Sequence, residues 1–257
     1  MIRLIASDID GTLLPYGEAE IPPEIFTEIR RLEGEGILFC PASGRQYTSL
    51  RGLFAPVADR VPFLCENGAV VYGPGSPGPV LGKTVMGREQ ALALAREIYA
   101  QPGLEVLISG ANTSYLCPKG EAIAPLVRDF VGNNTVLLEH PEQMPEDIVK
   151  VSAYCPAGNP GAVLAQLGPR WGRVFQAAVA GEVWLDFTLA DKGRGLAQLC
   201  AALGVGMGEV MAFGDNYNDV PMLERVGRPY LMENAAPELK ARFPVRCRRV
   251  ADVLRTL

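Results

Sequence analysis

Ile2-Arg3-Leu4-Ile5-Ala6-Ser7-Asp8-Ile9-Asp10-Gly11-Thr12 opens with a short apolar run that ends in two carboxylates, a glycine and a hydroxyl. A run this short, closed by turn residues, predicts a buried strand over Ile2–Ser7 followed by a loop. In extended backbone, residues i and i+2 point to one side, so Asp8 and Asp10 can face a single pocket. Gly11 permits a sharp exit from the strand. A carboxylate at such a strand end can attack phosphorus and divide one difficult displacement into two. A second carboxyl beside it can protonate the leaving oxygen and then deprotonate the attacking water. The same pair also fits plain turn and capping residues. A calcium loop does not fit: its glycine belongs at the sixth position and a Glu at the twelfth, whereas here the glycine is fourth and the twelfth residue is Ala19.

Outward from this stretch the pattern alternates. Apolar residues at 25, 26, 29 and 32 have helical spacing over Pro22–Glu35, and Gly34 and Gly36 close that helix. Ile37–Cys40 reads as a second strand running into Pro41-Ala42-Ser43-Gly44-Arg45, with a helix over Arg45–Phe54. Phe63–Cys65 reads as a third strand, followed by Glu66-Asn67-Gly68-Ala69. Strand, helix, strand, helix, strand predicts a parallel sheet with helices on its faces. Ligands of such sheets bind beyond the carboxyl ends of the strands, where Asp8, Ser43 and Asn67 would gather.

The alternation returns near the other end. Asp191 is placed to cap a helix over Lys192–Leu203. A strand over Glu209–Phe213 runs into Gly214-Asp215-Asn216-Tyr217-Asn218-Asp219. A helix over Val220–Arg225 carries Pro221 in its first turn. Between these halves the character changes. A helix over Arg88–Ala100, a hairpin of Leu104–Ser109 with Thr113–Cys117, and further short strands and helices read as a separate α/β insertion. The α/β chain therefore divides into a split core, 1–82 and 188–257, and an inserted domain, 83–187.

The 257 residues, 48% hydrophobic and 21% charged, fit an ordinary globular protein. A net charge of -5 gives no footprint for nucleic acid or an anionic membrane. No apolar stretch approaches the length of a membrane span. The six cysteines form no C-x-x-C and read as small hydrophobes in a reducing compartment, so the expected location is cytoplasmic.

Other pieces carry chemistry only when read together. Ser43 and Gly44 at a helix start would offer a hydroxyl and a free amide to phosphate, or simply an N-cap. Lys192 would bind phosphoryl oxygens as a point charge, or be a surface lysine. Asp215 stands where a Mg²⁺ ligand is expected. Asp219 reads as the N-cap of the following helix. Gly73, Gly75 and Gly78 match G-x-G-x-x-G in letter, but Pro77 and Pro79 forbid the helix that a dinucleotide site needs. Gly82-Lys83-Thr84 lacks the first glycine of a P-loop, with Pro77 in its place.

Asp8–Thr12, Ser43, Lys192 and Gly214–Asp219, in that order, resemble the four motifs of the haloacid dehalogenase superfamily. Glu66-Asn67-Gly68-Ala69 and Met232-Glu233-Asn234-Ala235 are similar to its Cof-type branch. That branch inserts an α/β cap between the second and third motifs, as the position and size of 83–187 suggest. The resemblance implies a Rossmann-like parallel-sheet core with a substrate-selecting cap. It implies a Mg²⁺-dependent phosphatase acting on a small phosphorylated metabolite such as a sugar phosphate, with flavin and pyridoxal phosphates as further candidates. Asp8 would be the nucleophile and Asp10 the general acid/base. Mg²⁺ would sit on the Asp8 carboxylate, the Asp10 backbone carbonyl and Asp215. Ser43, Gly44, Lys192 and Asn218 would hold the phosphoryl group, with Thr12, Asn216 and Asp219 in support. Two alternatives share these residues: phosphomannomutase-like transfer to a sugar hydroxyl, and a phosphometabolite-binding protein without catalysis. Cap contacts to the leaving group are expected from among Asn112, Tyr115, Lys119, Arg173 and Trp184.

Overall fold

In the computed structural model, which describes every residue except Tyr16, Gly17 and Ala19, the opening apolar run forms β1 (Leu4–Ser7), buried along its whole length. The chain continues through α1 (Pro23–Gly34), β2 (Leu38–Pro41), α2 (Tyr47–Leu53), β3 (Phe63–Cys65), β4 (Val70–Tyr72) and β5 (Val80–Lys83). Next come α3 (Arg88–Ala100), β6 (Glu105–Ser109), β7 (Ser114–Leu116), α4 (Ile123–Pro125), β8 (Thr135–Leu137), β9 (Lys150–Tyr154), α5 (Pro160–Trp171), β10 (Gln176–Ala180) and β11 (Trp184–Thr188). It closes with α6 (Lys192–Leu203), β12 (Val210–Gly214), α7 (Val220–Leu223), β13 (Arg228–Met232), α8 (Pro237–Arg242), β14 (Arg246–Cys247) and α9 (Val250–Leu254). These elements make two compact units, Met1–Gly82 with Asp191–Leu257, and Lys83–Ala190.

The first unit is built on a five-stranded sheet in the order β14-β13-β12-β1-β2, every pair parallel. Strands buried on both faces need apolar residues at successive positions, which explains the unbroken Leu4-Ile5-Ala6 and Val210-Met211-Ala212-Phe213 runs. Leu4, Ala6, Cys40, Val210 and Ala212 share a core with Leu196, Leu199 and Cys200 of α6 and Met222 and Leu223 of α7. Each large apolar side chain so buried contributes roughly 1.5–3 kcal/mol.

One expectation is corrected here. Phe63–Cys65 does not extend the parallel sheet as a third full strand. It pairs antiparallel with β4, in a three-stranded β3-β4-β5 sheet, and touches the parallel sheet through the single bridge Ala42–Leu64. The reason is local: the chain turns back at Glu66–Gly68, so Val70–Tyr72 reaches the neighbouring edge of β3 directly.

The second unit holds a six-stranded sheet in the order β10-β11-β9-β6-β7-β8, antiparallel except for β7 and β8. One face packs Val106, Ile108, Val151, Ala153, Leu185 and Phe187 against Leu94 and Ile98 of α3 and Leu167 and Trp171 of α5. The strand Thr135–Leu137 carries no sequence signal, because it is short and exposed at the sheet edge. All six cysteines are unpaired and buried. Among the described residues, no helix is long and apolar enough to cross a membrane.

Candidate active site

Strands β2, β1 and β12 end side by side, with Ser7 level with both Pro41 and Phe213. β1 has an early strand on one side and a late one on the other. Chain order therefore reverses at β1, which makes this edge the crevice where α/β sheets bind ligands. Asp8 leaves β1 with its N–H donated to the Phe213 carbonyl at 3.0 Å. Ser43 follows β2 and Asp215 follows β12.

Lys192 is the first residue of α6. The Asp191 side chain accepts the Arg194 N–H at 2.8 Å, which caps the helix and aims the lysine stem. The Lys192 ammonium is fully buried and donates to Asp8 Oδ1 at 2.5 Å and Asp219 Oδ1 at 2.6 Å. Asp219 Oδ2 accepts the N–H groups of Asp215 at 3.0 Å and Asn216 at 3.1 Å. A buried charge is tolerated only when paired and hydrogen-bonded, and this one is both.

Asp8, Asp215 and Asp219 are all buried, with one carboxylate oxygen of each within 4.8 Å of the others. Burial first, and then the Asp219 carboxylate, push the Asp8 carboxyl up to about 8; Asp215 adds to this and Lys192 opposes it. Burial works against the charge on Lys192, but Asp219 and Asp8 outweigh it and hold the ammonium above the ordinary lysine range. Three carboxylates against one ammonium leave an excess of negative charge in a buried place. Hard oxygen donors in such excess fit a divalent cation of the Mg²⁺ type. Asp219 already spends both oxygens on Lys192 and its own loop, so Asp8 and Asp215 are the side chains suited to hold the ion.

A profile of haloacid dehalogenase-like hydrolases matches residues 5–251, nearly the whole chain, with the aspartate loops and the lysine helix inside it. The chain belongs to the haloacid dehalogenase-like hydrolase family. It is a hydrolase of that superfamily. The 5-amino-6-(5-phospho-D-ribitylamino)uracil phosphatase YbjI of Escherichia coli is 25% identical over 93% of this chain and 88% of that one. The HMP-PP phosphatase of Klebsiella pneumoniae is 29% identical over 95% of this chain and 89% of that one. A crystal structure of a Eubacterium rectale protein superposes with a TM-score of 0.87 at 29% identity, covering 99% of this chain and 98% of that chain.

Within this hydrolase the candidate residues occupy distinct places. Thr12 Oγ1 donates to Asp215 Oδ1 at 3.2 Å, joining the first loop to the last. Asp10 points away from the buried cluster. Its carboxylate accepts Nε and Nη2 of Arg45 at 3.0 and 2.6 Å. Ser43 and Gly44 lie in a loop ahead of α2, which begins only at Tyr47, so they are not at a helix start. Ser43 Oγ instead accepts the Arg45 N–H at 3.2 Å. Asp219 does not cap α7 with its side chain; that side chain is drawn back to Lys192 and its own loop. Asn216 takes the capping role one turn earlier, accepting the Tyr217 N–H at 2.8 Å. Asn218 Nδ2 donates to Asn67 Oδ1 at 3.2 Å.

Sequence reasoning missed two residues here. Arg45 follows Ser43 by two positions, and its basic side chain beside a phosphate-type loop was the available signal. Asn234 Nδ2 donates to the Gly11 carbonyl at 2.9 Å, which gives the Met232–Ala235 similarity a physical basis. In the second unit, Tyr115 is engaged with Glu146 at 2.7 Å, and Lys119 donates to the carbonyls of Gln101 and Leu104 at 2.8 and 2.5 Å. Trp184 lies against Tyr154 at 4.8 Å between ring centres.

Proposed function

We propose that this enzyme hydrolyses phosphate monoesters of small cytoplasmic metabolites in a Mg²⁺-dependent reaction through an aspartyl-phosphate on Asp8. The observation that carries the reading is the buried Lys192 ammonium shared by Asp8 and Asp219 at the crevice edge. Asp8 Oδ attacks phosphorus, the bond from phosphorus to the leaving oxygen breaks, and Asp10 gives that oxygen its proton. Water then attacks the aspartyl-phosphate, Asp10 takes a proton from it, and inorganic phosphate leaves. Lys192, Ser43, the Gly44 N–H and Asn218 hold the non-bridging oxygens during both steps. Asp10 works as an acid only after its carboxyl has left Arg45, so arrival of substrate at Arg45 and loading of Asp10 are linked.

Asp8, the Asp10 backbone carbonyl and Asp215 would hold the Mg²⁺ ion. When bound, the ion supplies charge neutralisation worth several kcal/mol in the transition state. Thr12 steadies Asp215, while Asn216 and Asp219 shape the loop around it. The unit Lys83–Ala190 acts as the cap that selects the leaving group. The relatives named above act on a phosphorylated ribitylaminouracil and on HMP-PP, which supports a sugar phosphate or a cofactor-type phosphate as the substrate class.

The test is phosphate release from a panel of sugar and cofactor phosphates, with and without Mg²⁺, by the parent and by Asp8→Asn. The expected result is Mg²⁺-dependent release by the parent and none by the variant. Release that persists in Asp8→Asn would exclude Asp8 as nucleophile. Isomerisation of a sugar phosphate without phosphate release would move the assignment to a mutase.

A further inference from the structure

Glu66, Asn67 and Gly68 follow one another with φ values of 51°, 54° and 92°. Two successive non-glycine residues in the left-handed region mark stored backbone strain, which persists only where the surroundings over-determine it. Here they do so on three sides. Gly68 lies against the first turn of α6. A Cβ at Gly68 would stand 2.4 Å from the Asp191 carbonyl oxygen and 3.3 Å from Gly195 Cα. The Asn67 N–H donates to the Ser43 carbonyl at 2.9 Å, and the Glu66 N–H to the Arg45 carbonyl at 3.1 Å. The Asn67 side chain accepts from Asn218 at 3.2 Å and covers Gly44, where a Cβ would come within 3.1 Å of Nδ2.

Stability alone would favour glycine at 67, which adopts this φ without cost. What asparagine adds is the side-chain amide aimed at Asn218 and Gly44. We propose that Asn67 is a positioning residue for the phosphoryl-binding groups. It fixes the Ser43-Gly44 loop, the Asn218 amide and the first turn of the Lys192 helix in one frame. The inference rests on the reading of Ser43, Gly44, Lys192 and Asn218 as the groups that hold phosphoryl oxygens.

The experiment titrates inorganic phosphate into the Mg²⁺-loaded full-length protein by calorimetry, for the parent, Asn67→Gly, Asn218→Ala and the double variant, with melting temperatures alongside. Asn67→Gly is expected to melt at or above the parent temperature yet to bind phosphate about three- to tenfold more weakly, the worth of one hydrogen bond. Asn218→Ala, which also removes an amide that holds a phosphoryl oxygen, should lose at least as much, and the double variant less than the two single losses summed, because the two residues share one contact. Where turnover is measurable, the loss in Asn67→Gly should fall on KM rather than kcat. Unchanged phosphate affinity in Asn67→Gly overturns the proposal, as do losses that simply add in the double variant. A parent that binds phosphate but hydrolyses no ester sinks the hydrolase mechanism alone, and the same titrations still decide the role of Asn67. A parent that binds no phosphate overturns both.

Discussion

In the first unit the buried charged side chains stand past the ends of strands, whereas in the second they stand within them. Strands β2, β1 and β12 are parallel, so the loops carrying Ser43, Asp8 and Asp215 all leave at one edge. In the second unit, neighbouring strands mostly run in opposite directions and their ends scatter to both edges. Polar groups there gather across a sheet face instead, Ser109 and Thr188 opposite Lys150, and Ser152 opposite Asp186. Lys150 stands 3.5 Å from Asp186 Oδ2, while Ser152 donates to Asp186 Oδ1 at 2.6 Å. There the Lys150 ammonium pairs with the Asp186 carboxylate. Around Lys192 one cation meets two carboxylates directly, with a third close by, so that cluster is left with negative charge which a metal ion or a proton relieves. Strand direction decides where polar groups converge, and the charge balance decides which cluster is poised for a ligand.

The largest expected effect comes from breaking the unbalanced cluster. Lys192→Met leaves two buried carboxylates without their cation and should cost about 3–5 kcal/mol in a urea unfolding curve, with phosphatase turnover lost. Lys150→Met should cost less, about 1–3 kcal/mol, because Asp186 keeps its bond from Ser152. Equal losses in the two variants would erase the contrast between the clusters.

A pH series sharpens it. The Asp8 carboxyl is raised in the folded state from 3.8 to about 8, chiefly by burial and then by Asp219. The folded protein therefore binds a proton that the unfolded chain has released, and the metal-free protein loses stability as pH rises from about 4 to 8. The melting temperature of Asp8→Asn relative to the parent should climb by several degrees across that range. A constant difference between pH 5 and pH 8 would contradict the raised carboxyl. Added Mg²⁺ should stabilise the parent more at pH 8 than at pH 5, since the ion takes the place of the proton.

The smallest effects come from matched helix caps. Asp191→Ala and Asn159→Ala each remove one cap bond, to Arg194 and Ala162 respectively, and each should cost about 1 kcal/mol. Only Asp191→Ala should also slow phosphate release, because Lys192 follows it in the first turn. Equal turnover in the two variants would show that the cap does not aim the lysine.

Much of this is legible in the sequence. The short apolar runs, their closing loops and the alternation with helical spacing pointed to a parallel core interrupted by a different α/β unit. Asp8, Asp215 and Lys192 were legible because each stands just after a strand or at a capped helix start. The turn at Glu66–Gly68 is visible as a motif, and Asn67-Gly68 suits the left-handed region, but the extension of that run to Glu66 is not legible, since glutamate carries no local preference for it. The exposed strand Thr135–Leu137 escaped because its pairing with β7 is a tertiary contact without a periodic signature. Asp219 read as a helix cap because the sequence places it there. Its engagement by Lys192, from 27 residues away, won that side chain instead.

The sequence by itself determined the class of the fold, the loops that bear the aspartates, and the capped helix on which the lysine stands, because these follow from side-chain periodicity and local hydrogen bonding. Only the tertiary structure decided that Lys192 is shared between Asp8 and Asp219, that Asp10 rests on Arg45, and that Asn67 bridges to Asn218. These pairings join residues far apart in the chain, and they exist only where the parallel strand order brings their loops to one edge and burial makes each charge seek a partner.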